Sequence, residues 1–468
     1  MKRRLLSAFL AVMMVLTMAP VAFAADEGGT TGVAKIGDVE YPTLQAAVDA
    51  ANNGDTIVLK KSISATEIGE KKQLQFVKAD MNVTLDLNQN TITAEAGEAI
   101  AINAANITLT VKNGTIENFA EGNYSDGVYA YKESNNLTLT FESVVLKSRT
   151  QGLAVQGLTS NSNVNIVNSK ITSAEELGIY YPPKSGTLTI SDSEITGVTG
   201  IVVKGSNLVV KGEKTIISGT GPNVDPETYY TGATDGSSTL TETGDALYIE
   251  SGYNDRDISV SISGGHLNSK SAKAVRMFVK NGENTSAKRE ISVTGGTFSS
   301  DVSAYVAEGY VQNENGTVEQ LGETNAVAKI DDTYYKTLAD AVAAANDGKT
   351  VTLLKNVVLN STLTLNKSMT LDLNGCKISN GSTMGTDYLV SIAANADVSI
   401  VGNKENSKIS DSRSNAQGTI TAVVVYGKLT VAGDNLTISR GANGIAIKVE
   451  DNPGTLIVNG GTITVDKP

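Results

Sequence analysis

Tyrosine recurs at one place in a repeated phrase. It stands third in "GVYAY" (127–131), "GIYYP" (178–182) and "ALYIE" (246–250), giving Tyr129, Tyr180 and Tyr248. In each phrase the residue before it is apolar, so period-two alternation sends Val128, Ile179 and Leu247 inward and the tyrosines outward. "GLAVQ" (152–156), "GIVVK" (200–204) and the run around Val275 fill the same slot with Ala154, Val202 and Arg276. If these phrases are neighbouring strands, Tyr129 and Tyr180 lie two strands apart, roughly 10 Å. Phenol rings at that spacing can stack on the faces of a sugar chain, with Tyr131, Lys204 and Arg276 adding polar contacts. Packing alone also favours tyrosine on half-exposed strands, so the row is a candidate glycan site and no more.

A second group is acidic. Asp225, Glu227, Asp235 and Asp245 fall in a long insertion, "GPNVDPETYYTGATDGSSTLTETGD" (221–245). Hard oxygen ligands suit calcium, but the spacing of a dedicated calcium loop is absent. A solvated Gly/Thr-rich loop accounts for the same composition. Of the residues common in catalysis, His266 is the single histidine and sits in a strand-like run, and Cys376 is the single cysteine. Neither belongs to a recognisable constellation.

These residues need elements to hold them. Short runs such as "VTLDLNQNTI" (83–92), "ITLTVKNGTI" (107–116), "LTLTFESVVL" (137–146), "VNIVNSKI" (164–171) and "LTISDSEI" (188–195) share one grammar. Two apolar residues alternate with a polar one, a turn-prone residue follows two positions later, and another apolar residue lies three beyond it. Asn113, Ser143, Asn168, Asp192, Gly264 and Gly433 hold the turn position, with Gln89 as the exception. This reads as strand, tight corner, strand, and the tyrosine-bearing phrase supplies a third strand. Three strands make a coil that recurs roughly every 20 to 50 residues and must stack on its neighbours to bury its inward side chains. Eight coils are expected between Leu85 and Phe298. Glu117, Lys147, Ser173 and Gly197, taken as equivalent positions after the second strand, do not build a carboxylate cluster.

One phrase is of another kind. "PTLQAAVDAANNGDTIVL" (42–59) returns as "KTLADAVAAANDGKTVTL" (336–353). Thr43 and Thr337 are placed to cap helices, Leu44/Val48/Ala51 and Leu338/Val342/Ala345 make apolar faces, and Gly54 and Gly348 follow. Such a helix can cover the open end of a coil stack, and two copies predict two stacks, over 33–320 and 327–468.

The capping helix, "VTLDLN" (83–88), "MTLDLNG" (369–375) and "GGTFSSDVSAYVAEGY" (295–310) together resemble secreted right-handed parallel β-helix proteins of the pectate-lyase-like superfamily. More narrowly they resemble tandem surface-protein modules of gut-dwelling Gram-positive bacteria. The resemblance implies an all-β, right-handed parallel β-helix with three-strand coils and short N-terminal capping helices. It also implies that enzymatic relatives would be polysaccharide lyases, using Arg or Lys with calcium, or hydrolases using grouped aspartates. The arginine and aspartate signatures of those enzymes are absent here. The fold hosts many activities, so it does not choose among them.

Composition narrows the setting. Residues 1–24 carry a basic start (Lys2, Arg3, Arg4), an apolar stretch and Ala22-Phe23-Ala24, which reads as a secretory signal. Its loss moves the formal charge from −12 to −15, because three cations and no acids leave. That balance disfavours nucleic acid as a partner. No later stretch is apolar enough to span a membrane. The sequence stops at "GGTITVDKP" without a counterpart of the segment ending the first stack, and is expected to be a fragment of a longer protein. The reading is a secreted or cell-surface interaction protein that binds a polysaccharide or other surface component without catalysis. Its rivals are a calcium-assisted lyase or glycosidase, and a structural stalk.

Overall fold

The computed structural model describes residues 32–122, 124–229, 241–250, 253, 255–279, 287–413, 420–442, 444–450 and 454–465. The chain is a parallel β-solenoid of the right-handed type with few helices. It divides into two compact units, residues 1–291 with 296–301 and residues 292–295 with 302–468. An antiparallel hairpin, Tyr310–Gln312 with Thr317–Gln320, falls in the second. The segment 1–24, expected to be a secretory signal, lies outside the described residues.

In the first unit the alternating runs become stacked parallel strands in strict register. Val83, Leu109, Leu139, Val164, Leu188, Leu208 and Val260 follow one another across successive coils, and each is at most 2% exposed. The next apolar column, from Leu85 through Val111, Phe141, Ile166, Ile190 and Val210 to Ile262, is equally buried. A period of two closes one face into the core, and stacking does the rest. Each coil contributes residues that only its neighbours can bury.

The corner after the first strand is left-handed, as the turn residues require. Asn113, Ser143, Asn168 and Asp192 have φ between 47° and 59°. Gln89 takes the same conformation at φ 66° although its type did not announce it. In the coil at 258–269 the positive φ belongs to Gly265, one residue beyond the Gly264 expected.

Another corner carries a ladder that the sequence reading missed. Asp80, Asn106, Asn136 and Asn161 all have positive φ. Each asparagine amide donates to the side chain one coil back, at 2.6 Å, 2.7 Å and 3.1 Å. The signal was present, because each of the four stands three residues before an inward apolar residue (Val83, Leu109, Leu139 and Val164).

The third strands form an eight-stranded sheet. Glycine opens several of them for want of space. A Cβ on Gly127, Gly152 or Gly178 would lie 2.4–2.5 Å from the carbonyl oxygen of the glycine one coil on. In the second unit the equivalent sheet runs through Leu363–Leu365, Tyr388–Ile392, Thr421–Val425 and Ile445–Val449.

Helices Leu44–Ala50 and Leu338–Ala344 begin at Thr43 and Thr337, whose hydroxyls accept from Ala46 N at 3.1 Å and Asp340 N at 3.0 Å. Leu44, Ala47 and Val48 are buried in one, and Leu338, Ala341 and Val342 in the other. Both stop at an alanine with extended backbone, a few residues before Gly54 and Gly348. A further short helix, Ala65–Ile68, starts from a Ser64–Glu67 capping box.

Candidate functional site

The third sheet of the first unit presents the predicted row. Tyr129, Ala154, Tyr180, Val202, Tyr248 and Arg276 follow one another strand by strand in register. Their accessibility differs from the sequence reading. Tyr248 is fully buried and Lys204 is 2% exposed, so neither can meet a ligand on this surface. Ala154 and Val202 are covered as well.

Two stretches of chain fold back over the outward face. In one, the Arg256 guanidinium stacks 3.4 Å from the Tyr253 ring centroid and donates to the Pro182 carbonyl. This contact fits because residues 157 and 205 are glycine. A Cβ on Gly157 would meet the Tyr253 hydroxyl at 2.7 Å, and one on Gly205 would meet Arg256 Cδ at 2.9 Å. Beneath it, Lys204 pairs with Glu250 at 2.9 Å, and its Nζ lies 5.6 Å from the Tyr180 ring.

The second stretch covers the far end of the row. Arg276 donates to Asn223 Oδ1 at 2.6 Å and pairs through Nε with Asp245 Oδ2 at 2.7 Å. Its Nη2 also donates to Asp245 Oδ1 at 3.0 Å, so the guanidinium is held within the protein. Asp245 is fully buried, accepts from Thr243 Oγ1 and Lys273 N, and has its carboxyl pushed up by burial. It is a structural counter-ion to Arg276, which corrects its expected place among metal ligands. Asp225 caps its own turn by accepting from Glu227 N at 3.0 Å, while Glu227 is exposed. Asp235 lies outside the described residues. Among the described residues no three His, Cys, Asp or Glu side chains could share a metal ion.

The near end of the row stays open. Tyr129 and Tyr131 are both half-buried, with ring centroids 4.7 Å apart and planes tilted by 59°. The Tyr131 hydroxyl donates to Glu98 Oε1 at 2.6 Å. Glu98 sits in register with Asp126 on the adjoining strand. Asp126, 3% exposed, accepts from Thr150 Oγ1 at 2.5 Å and Gln151 N at 2.9 Å. Burial pushes its carboxyl up, and Glu98 adds to the shift. Both phenols are pushed up too, by burial first and then by these two carboxylates. Tyr180 is half-buried, and Tyr124 near Tyr129 is exposed. Glu98 and Asp126 were not identified from sequence, although "GEAIAI" (97–102) carries the same phrase as "DGVYA" (126–130).

Elsewhere the chemistry is plainer. His266 is an exposed strand residue in register with Ile216. Cys376 packs against the second unit's core, and burial raises its thiol. After the second strand, the residues in register are Glu117, Lys147, Thr172 and Thr196, while Ser173 and Gly197 occupy the next row. That corrects the expected alignment by one position, and Lys147 pairs with Glu117 at 2.9 Å. A shallow groove of about 350 Å³ lies along the first corner, lined by Ser143, Asn168, Lys170, Asp192, Glu194 and Lys214. Its Lys170 and Glu194 are paired at 2.8 Å.

No family model matches the chain, and no curated protein does. Two solved structures of the PL6 family alginate lyase AlyGC align with it. The first is an arginine-to-alanine mutant, at 11% identity over 90% of this chain and 79% of that one. The second is at 10% identity over 91% and 80%. Both give a TM-score of 0.20, at which an overlay carries no argument about activity.

Proposed function

We propose that the open end of the third-sheet face binds glycan chains without cleaving them. The observation that carries this reading is the Tyr129–Tyr131 pair. Two half-exposed rings are tilted against each other and one is pinned through its hydroxyl to Glu98. Tyr180 continues the row two strands on, roughly 10 Å away. Rings held in this way lose little rotamer freedom when a sugar stacks on them. In this reading the protein is secreted or surface-bound and consists of two tandem modules. The helices at Leu44–Ala50 and Leu338–Ala344 cover their first coils.

A catalytic alternative has one observation in its favour. Glu176, half-buried, has its carboxyl raised by burial and then by Glu242 and Asp126, so three acids share one field. Raised carboxyls suit a general acid.

One experiment separates the readings. The purified chain is offered neutral and acidic polysaccharides with and without calcium, recording both retention and polymer length. Retention without shortening, weakened about tenfold by Tyr129→Ala with Tyr131→Ala, supports binding. Shortening that Glu176→Gln abolishes would replace it with catalysis. Absence of both outcomes would leave a stalk.

A further inference from the structure

The charges around the tyrosine pair are unbalanced. Glu98 and Asp126 stand side by side on neighbouring strands. Among the described residues, none of the ion pairs involves either of them. The cations of the same face are engaged elsewhere. Lys204 pairs with Glu250 and Arg276 with Asp245, while Arg149 pairs with Glu175 at 3.2 Å and also donates to the Ala120 carbonyl at 3.1 Å. Arg256 is 3% exposed and stacked on Tyr253. What Glu98 does hold is the Tyr131 hydroxyl, which fixes the carboxylate at the edge of the tyrosine pair.

Carboxylates and aromatic faces attract the same kind of group. A ring quadrupole draws a cation to its face, and a carboxylate forms its strongest hydrogen bonds with a charged donor. A sugar carrying a free amine offers both partners at once, with a C–H face for a tyrosine and an ammonium for Glu98. Acetylation of the amine removes the charge. A uronic acid would bring a like charge towards Glu98 and be repelled.

We infer that the Tyr129–Tyr131–Glu98 site selects glycans bearing free amino groups over their N-acetylated and acidic counterparts. This rests on the glycan-binding reading and narrows it to a cationic polysaccharide.

The test measures binding of the full chain to three oligosaccharides of equal length. These are a β-1,4-linked glucosamine oligomer, its fully N-acetylated form and an oligogalacturonate, compared at mildly acidic pH in low and high salt. The amine oligomer should bind at least about tenfold tighter than the N-acetylated one, and salt should shrink that margin. Glu98→Gln should bring the affinity for the amine oligomer down to that for the N-acetylated one, and a margin that survives this replacement would overturn the role of Glu98. Equal binding of the amine and N-acetylated forms, or preference for the uronate, would overturn the selectivity and leave glycan binding standing. Failure to bind all three would overturn both. If Glu98→Gln fails to fold, the ratio and its salt dependence in the unmodified chain decide the matter.

Discussion

Lys204, just past the end of strand Thr199–Val203, meets Glu250 of the adjacent strand of the third sheet at 2.9 Å, with 2% and 1% of their side chains exposed. They occupy the outward face of the sheet, where a solenoid would ordinarily show its charges to water. A buried ion pair is costly to break from one side and cheap to replace whole, because a lone buried charge has no water to compensate it.

Lys204→Met alone or Glu250→Gln alone should therefore destabilise the first unit by about 3–5 kcal/mol. The double replacement Lys204→Met with Glu250→Leu should recover most of that loss. Urea unfolding of the four proteins checks this, and a double variant no better than the singles would contradict it.

Asp126 gives the fold a pH dependence of definite sign. Its carboxyl is raised by burial, which outweighs the bonds from Thr150 and Gln151, and Glu98 raises it further. A native group with a raised pKa holds its proton when the unfolded chain has released it. Its contribution is thus complete below the ordinary aspartate value of about 3.9 and is lost as pH rises through the native value. Melting temperature should fall across that window, and Asp126→Asn should flatten the slope. An unchanged slope in the variant would assign the dependence to other carboxylates.

The glycine column makes a steric prediction with an internal control. A Cβ on Gly152 would sit 2.4 Å from the Gly178 oxygen and 2.4 Å from Ile171 Cγ2, whereas one on Gly97 meets nothing within 4 Å. Overfilling a packed site costs about 1–3 kcal/mol, occasionally more. Gly152→Ala should lower the urea midpoint accordingly and Gly97→Ala should hardly move it.

Asn136 combines two roles that substitution can separate. It holds φ 56° and its amide donates to Asn106 at 2.7 Å. Asn136→Gly keeps the left-handed backbone and loses the ladder bond. Asn136→Ala loses both and should be the less stable by about 1 kcal/mol or slightly more. Equal stabilities would mean that the corner bears no strain.

The column of inward residues was readable because strand alternation is local. Val128, Leu153, Ile179, Ile201, Leu247 and Val275 announce themselves by their neighbours, and they stack in that order. Exposure on the opposite face was not readable. Tyr248 and Lys204 are covered by contacts from stretches distant in sequence, and alternation cannot say what folds over a face. The traces were Gly157 and Gly205, whose missing side chains make room for Tyr253 and Arg256. Glu98 escaped notice because its strand lacks a tyrosine, although its register with Asp126 was implied by the repeat.

At the corner beside the long insertion, Gly200 N bonds the Asp245 carbonyl and Ile201 N that of Ala246, spacings the neighbouring coils keep without any insertion. The stack does not register how much chain intervenes. Lengthening a loop whose ends are already held together adds a closure cost that grows only with the logarithm of its length. Such a corner is a natural grafting point, where new recognition sequence can be spliced in while the columns beneath carry on undisturbed.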